Sequence, residues 1–286
     1  MPFKAAPIRS PLRYPGGKAK ALDRILEQFP KRLIDFREPF VGGGSVFVAV
    51  RQKFPDATVW INDLNADLVA FWTTARDHLP VLVRELRRIK DGATDGRKLY
   101  ESLRFSAPLL DFERAVRFFV MNRITFSGTT DSGGYSSAAF QARFTHSSLD
   151  RLEMLEPVMR SVKITNLDYR EVLKAEGSGA FVFLDPPYFS ATKSKLYGKQ
   201  GDLHTGFDHA AFASELENCA HQWLVTYDDS PTIREHFHFA SLQTWELQYG
   251  MNNYRQANAA KGSELFLRNY DLEIATFEEL GLPLQT

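Results

Sequence analysis

Seven short runs rich in β-branched and aromatic residues recur along the chain, and amphipathic helical patterns fill many of the gaps between them. The runs are LIDF (33–36), TVWIND (58–63), VKITNLD (162–168), AFVFLD (180–185), WLVTYD (223–228), SLQTWELQ (241–248) and ELFLRNY (264–270). Segments 64–79, 207–221 and 230–236 carry the helical pattern. Such alternation predicts an α/β fold with a mostly parallel sheet covered on both faces. Ligands of such sheets bind beyond the carboxyl ends of the strands, so the residues at strand tips carry most of the functional information.

One region breaks the rhythm. From about residue 76 to 154 there is no clear strand, and LPVLVRELRRIKDG and DFERAVRFFVMNRITF read as helices with basic faces. SGTTDSGGYSS then reads as turns. The expected organisation is a core of residues 1–75 and 155–286 with an inserted, mainly helical module at 76–154. A chain of 286 residues is long enough for this.

Lys+Arg and Asp+Glu balance at 35 each, so no global basic field exists and a nucleic-acid partner must be argued locally. The N-terminal stretch is locally basic, with Lys4, Arg9, Arg13, Lys18, Lys20 and Arg24 against Asp23; a solvated tail would look the same. Cys219 is the single cysteine, which excludes an internal disulfide and a cysteine-rich zinc site; no metal is expected. It falls in FASELENCAHQW, a helical pattern, and reads as a small core residue. No apolar run approaches the roughly 18–20 residues that span a bilayer, and MPFKAAPIRSPLRYPGG lacks the apolar segment of a signal peptide. A cytoplasmic protein without membrane partners is expected.

REPFVGGGSVFVAV follows the first strand and opens a helix. Gly42, Gly43 and Gly44 allow a sharp turn and close approach of a ligand to the backbone. A dinucleotide fingerprint needs a glycine three residues after Gly44, where Phe47 stands, which suits a cofactor without a pyrophosphate. A tight structural turn is the plain alternative. The second strand ends in INDLN, and Asp63 at its tip has the spacing of an acid that accepts ribose hydroxyls. An N-cap for the next helix is the competing role. LRYPGGKAK lacks the features of a phosphate loop, because Leu12 and Ala19 stand where glycine and a hydroxyl residue are needed. Tyr14 can pack on a flat ring and Lys18 can meet a carboxylate or phosphate.

The fourth strand ends in Asp185, Pro186, Pro187 and Tyr188. Prolines fix φ, donate no hydrogen bond and hold the preceding residue extended. The Asp185 carboxylate and the Pro186 carbonyl then form two acceptors with no donor, beside the aromatic face of Tyr188. An exocyclic aromatic amine has two N–H donors and a ring that stacks. Hydrogen bonds to both N–H groups favour a pyramidal nitrogen whose lone pair can attack a sulfonium methyl, a stabilisation that grows toward the transition state. A rigid exit turn after a strand is the bland reading.

DPPY, with FVGGGS and LRYPGGK upstream in that order, resembles the alpha-group, Dam-like adenine-N6 DNA methyltransferases over residues 11–270. The resemblance implies a Rossmann-like seven-stranded fold, S-adenosylmethionine as cofactor and an inserted target-recognition domain. It implies cofactor contacts from Tyr14, Lys18, Phe40, Gly42, Gly44, Asp63, Asp185 and, at the third strand's tip, Asp168 and Tyr169. KGSELFLRNY resembles the family's last strand, and Asp rather than Asn before the prolines looks like the adenine branch. The target amine lies inside a stacked pair, so the family rotates the nucleotide into the pocket, where Tyr188 would stack on it. Candidates for contact with double-stranded DNA are Asn122 and Arg123 in MNRITFSG, Tyr135 in GGYSS, Arg143 in FQARF, and Lys193 and Lys195 after DPPY. GATC-methylating members carry an Arg-Tyr-Asn-type segment and an Asn-Val-Pro-Phe-Gly-like stretch, whereas this chain reads TTDSGGYSSAAFQARF, so that target is not implied.

Competing readings are an RNA adenine methyltransferase, a catalytically silent DNA-binding relative and a nicotinamide oxidoreductase. Phe47 and the lack of a hydride-site pair disfavour the last. A monomer is expected, with a partner restriction endonuclease as an open question.

Overall fold

Every residue of the apolar run Ala180–Leu184 is buried, and the run splits alternately between two cores. Phe181 and Phe183 join the apolar cluster on one face, while Val182 and Leu184 join that on the other. This is the signature of a strand covered on both sides.

The computed structural model describes residues 7–14, 16–107, 110–130, 133–189, 206–248 and 261–272. Among the described residues seven strands form one sheet: β1 Asp35–Glu38, β2 Thr58–Asn62, β3 Lys163–Thr165, β4 Ala180–Leu184, β5 Gln222–Asp228, β6 Ser241–Gln248 and β7 Lys261–Arg268. Their order is β3-β2-β1-β4-β5-β7-β6. β1 to β5 are parallel, and β7 lies antiparallel between β5 and β6. The sequence expectation of a seven-stranded Rossmann-like methyltransferase fold is met, each expected strand lying within three residues of an observed boundary at both ends.

The helices among the described residues are α1 Leu22–Glu27, α2 Ser45–Lys53, α3 Ala66–Asp77, α4 Leu79–Gly92, α5 Gly96–Arg104, α6 Asp111–Ile124, α7 Ser137–Arg143, α8 His146–Glu153, α9 Glu156–Met159, α10 Tyr169–Lys174, α11 His209–Glu217 and α12 Pro231–His236. α11 ends at Glu217, so Cys219 sits in the turn before β5 rather than in a helix. Several helices start on side-chain caps that follow a strand tip directly. Asn65 caps α3 by accepting from the Asp67 and Leu68 amides, and Asp168 caps α10 through the Arg170 amide.

α4 to α8 occupy the stretch without expected strands. Their apolar faces continue the sheet's core without a break: Leu82, Leu86, Phe118, Phe119, Leu149 and Leu152 share one cluster with Phe36 and Phe181. Phe71 of α3 stacks on Phe119 of α6 with ring centroids 5.8 Å apart. At the end of α6 an isolated antiparallel bridge joins Thr125 to Tyr135 and closes the intervening loop.

No helix among the described residues is long and apolar enough to cross a membrane.

Candidate active site

The strand order reverses direction between β1 and β4, and their carboxyl ends open the crevice where such sheets bind ligands. The loop after β1 turns through Gly42 (φ 45°) and Gly44 (φ 68°), the left-handed region that favours glycine. A Cβ on Gly44 would strike Phe47 and Trp72, so both rings pack directly against the turn. Tyr14 packs beneath Gly42 and Gly43 so closely that a Cβ on Gly42 would strike its ring and one on Gly43 its Cβ. Trp72 donates to the Gly42 carbonyl at 3.2 Å and locks the turn from below.

Asn62, at the tip of β2, knits three loops together. Its amide nitrogen donates to the Pro39 carbonyl at 3.1 Å and the Leu167 carbonyl at 2.9 Å, and its oxygen accepts from Thr165 and the Leu167 amide. Asp63 follows it. One carboxylate oxygen accepts from the Gly42 amide at 3.0 Å and the other from the Asn65 amide at 2.9 Å. Burial pushes its pKa up to about 6 although the Asn65, Gly42 and Leu64 amides pull the other way. The cap of α3 is Asn65, so Asp63 keeps its remaining lone pairs for the crevice.

After β4, Asp185 is 21% exposed and Lys18 only 6%; they form an ion pair at 2.7 Å. The Thr226 hydroxyl of β5 donates to the same Asp185 oxygen at 2.8 Å. Lys18 also donates to the Gly16 carbonyl at 3.0 Å, so the N-terminal turn delivers a cation to the tip of β4. The carboxylate that Lys18 meets is the chain's own Asp185. Its ammonium lies 4.8 Å from the centroid of the Tyr188 ring. The Tyr188 hydroxyl donates to Glu264 of β7 at 2.5 Å. Burial, the charges of Asp185 and Glu264, and this bond hold the Tyr188 pKa well above its ordinary value.

All these tips line one cavity of about 580 Å³. Tyr14, Lys18, Phe40, Gly42, Gly44, Asp63, Asp168, Tyr169, Asp185, Pro186, Pro187 and Tyr188 all reach it. One wall is aromatic: Phe40 lies 5.4 Å from Tyr169 and 5.9 Å from Phe207. Asp168 caps α10 and pairs with Arg170 at 3.2 Å. Among the described residues, two buried polar atoms of this cavity have no partner, Glu38 Oε2 and the Tyr169 hydroxyl. Burial and the neighbouring Asp185 push the Glu38 carboxyl well above the usual carboxylate range.

Of the expected DNA contacts, Arg123 and Arg143 are close enough to feel each other's charge. Arg143 is exposed at the end of α7, and its charge acts on Arg13 and Arg123. Arg123 is only 4% exposed, and burial together with Arg151, Arg13 and Arg143 pushes its pKa down to about 9. Asn122, a candidate for base or phosphate contact, is fully buried. Its oxygen accepts from the Arg13 amide at 3.0 Å, and its nitrogen donates to the Arg13 carbonyl at 2.5 Å and the Gly128 carbonyl at 2.9 Å. It brackets the N-terminal motif to the loop after α6. Tyr135 is half-buried, with Arg97 over its ring at 5.2 Å. Phe126, in that same loop, is 62% exposed. Lys193 and Lys195 lie outside the described residues.

Sequence reasoning missed Glu38, Asn62, Thr226 and Glu264. An acid directly before PFVGGG and an amide closing an apolar strand were visible signals for the first two. Thr226 and Glu264 reach the site only through strand pairing, since β5 and β7 are adjacent in the sheet.

Residues 14–251 match the family model described as D12 class N6 adenine-specific DNA methyltransferase. The chain is 24% identical to the Type II methyltransferase M1.LlaDCHI of Lactococcus lactis subsp. cremoris, over 92% of this chain and 96% of that protein. It is 28% identical to the DNA N-6-adenine-methyltransferase of Escherichia phage P1, over 80% of this chain but 31% of that longer protein. It is also 27% identical to the DNA adenine methylase of Haemophilus influenzae, over 62% of this chain and 63% of that protein. A matched stretch that runs from the Tyr14 turn through the glycine loop and DPPY, on a sheet of this order, makes the conclusion direct: the chain belongs to the D12 class N6 adenine-specific DNA methyltransferase family.

Proposed function

We propose that this member of the family transfers the methyl group of S-adenosylmethionine to N6 of an adenine rotated out of double-stranded DNA. The observation that carries the reading is Asp185 at the mouth of the cavity, its carboxylate tethered by Lys18 and Thr226 beside Tyr188.

The cavity's donors and acceptors fit the cofactor. The unpartnered Glu38 oxygen suits an ammonium, Asp63 suits ribose hydroxyls, and the Phe40–Tyr169–Phe207 wall suits a purine. When bound, S-adenosylmethionine supplies an electrophilic methyl on a sulfonium. The chain's residues do the remainder. Asp185 and the Pro186 carbonyl accept the two N–H bonds of the exocyclic amine, and Tyr188 stacks on the flipped ring. Lys18 and Thr226 fix the carboxylate so that it need not reorganise as charge develops on nitrogen. The amine's proton leaves toward Asp185 or water.

In this reading residues 1–75 and 155–286 carry cofactor and chemistry, and 76–154 meets the DNA. Arg13, Arg123 and Arg143 supply local positive charge on a chain whose formal net charge is zero. Asn122 holds their two segments together. Duplex DNA is the partner, and the chain acts on it as a monomer.

The test is expression in cells that lack adenine methylation, followed by base-resolved mapping of modified bases in DNA and RNA. N6-methyladenine confined to a short DNA sequence is expected. Methylation of RNA alone, or of cytosine, overturns the reading.

A further inference from the structure

We propose that Glu264, a residue of β7 outside the glycine and DPPY motifs, is a positioning residue that sets the orientation of Tyr188 by taking its hydroxyl at 2.5 Å. The inference rests on the function just proposed, in which Tyr188 stacks on the target adenine.

Glu264 pairs in register with Asp228 of β5, and its side chain reaches the loop that follows β4. Tyr188 is then restrained on three sides. Glu264 holds its hydroxyl, Tyr227 packs against the ring at 5.9 Å with planes 31° apart, and the Lys18 ammonium lies 4.8 Å from its centroid. Lys18 also binds Asp185, which Thr226 holds from β5. The stacking ring and the carboxylate clamp are thus two arms of one network, both anchored on the adjacent strands β5 and β7.

Glu264 is out of place as a stabilising residue. It is wholly buried between Ser263 and Leu265, and its Oε1 has no partner among the described residues. Burial pushes its pKa up to about 7, with Tyr188 and Lys18 lowering it and Asp185 and Asp228 raising it. A leucine would fill such a place on a central strand without the desolvation penalty. What the acid alone provides is a fixed acceptor for the phenol. That bond locks the ring's tilt and enriches its electrons, which favours a purine acquiring positive charge at its amine.

The test compares wild type with Glu264→Leu, Glu264→Gln, Tyr188→Phe and the Leu/Phe double variant. Each is checked for folding by circular dichroism, then assayed for methyl transfer to unmethylated genomic DNA with labelled S-adenosylmethionine. Glu264→Leu and Tyr188→Phe should each lower kcat by roughly tenfold to a hundredfold, with KM for the cofactor unchanged. The double variant should be no slower than either single one, and Glu264→Gln, whose amide oxygen still accepts, should stay within about threefold of wild type. Wild-type turnover in Glu264→Leu, a raised cofactor KM as its main defect, or multiplying defects in the double variant would overturn the proposal. Absence of N6-methyladenine from the wild-type reaction would instead overturn the function on which it rests.

Discussion

Glu38 has a buried oxygen without a hydrogen-bond partner among the described residues, at the cavity and next to Asp185. Leaving such an acceptor unpaired costs about 1–3 kcal/mol, which a ligand ammonium would offset. Burial raises this carboxyl's pKa in the ligand-free protein, and an arriving cation lowers it again. Cofactor binding should therefore release a proton and tighten as pH rises toward the raised pKa of Glu38. Titration calorimetry in two buffers of different ionisation enthalpy checks this. Wild type should show buffer-dependent heat, whereas Glu38→Gln should bind roughly tenfold or more weakly with much less of that dependence, on the about 1.5–3 kcal/mol of a charged hydrogen bond. Equal affinity and equal proton release in both proteins would remove Glu38 from the cofactor site.

At the scale of elements, the chain's tips follow from local rules. Gly44 turns left-handed ahead of α2 and faces Phe47 and Trp72 at no spare distance. Gly44→Ala should lower stability by about 1–3 kcal/mol from backbone strain, with crowding of the two rings adding to it. A denaturant titration that found wild-type stability would contradict the packing described. The strands and the three motif loops were legible in the sequence because buried strands, glycine turns and proline pairs are local signals. The bonds from Asn122 to Arg13 were not legible, because the two residues lie 109 positions apart. Glu264 was hidden for the same reason, 76 positions from Tyr188. The Thr125–Tyr135 bridge likewise depends on chain closure rather than on strand propensity.

At the scale of the molecule, the site is a cluster of acids held at a cost. The folded pKa of Asp63 is about 6 and that of Glu264 about 7, against ordinary values of 3.8 and 4.5. Between those limits the folded protein keeps protons that the unfolded chain has lost, so this contribution to stability is present at the acid end and is lost as pH rises. Asp77, Glu85 and Asp229 are shifted the opposite way by their arginine partners and act at lower pH. The melting temperature of Glu264→Gln relative to wild type should therefore rise between about pH 5 and about pH 8. Parallel melting curves across that range would show that Glu264 does not titrate there. Carboxylates whose pKa is raised by burial in this way cluster at functional sites.

In the function proposed above, a tethered carboxylate at the end of β4 activates the target amine. The most direct test is the single-turnover rate of methyl transfer by Asp185→Ala on duplex DNA, with S-adenosylmethionine saturating and the fold verified. A loss of about a thousandfold or more is expected. A variant that kept its rate within about tenfold of wild type would contradict it, because removal of a tethered transition-state acceptor should cost far more than that.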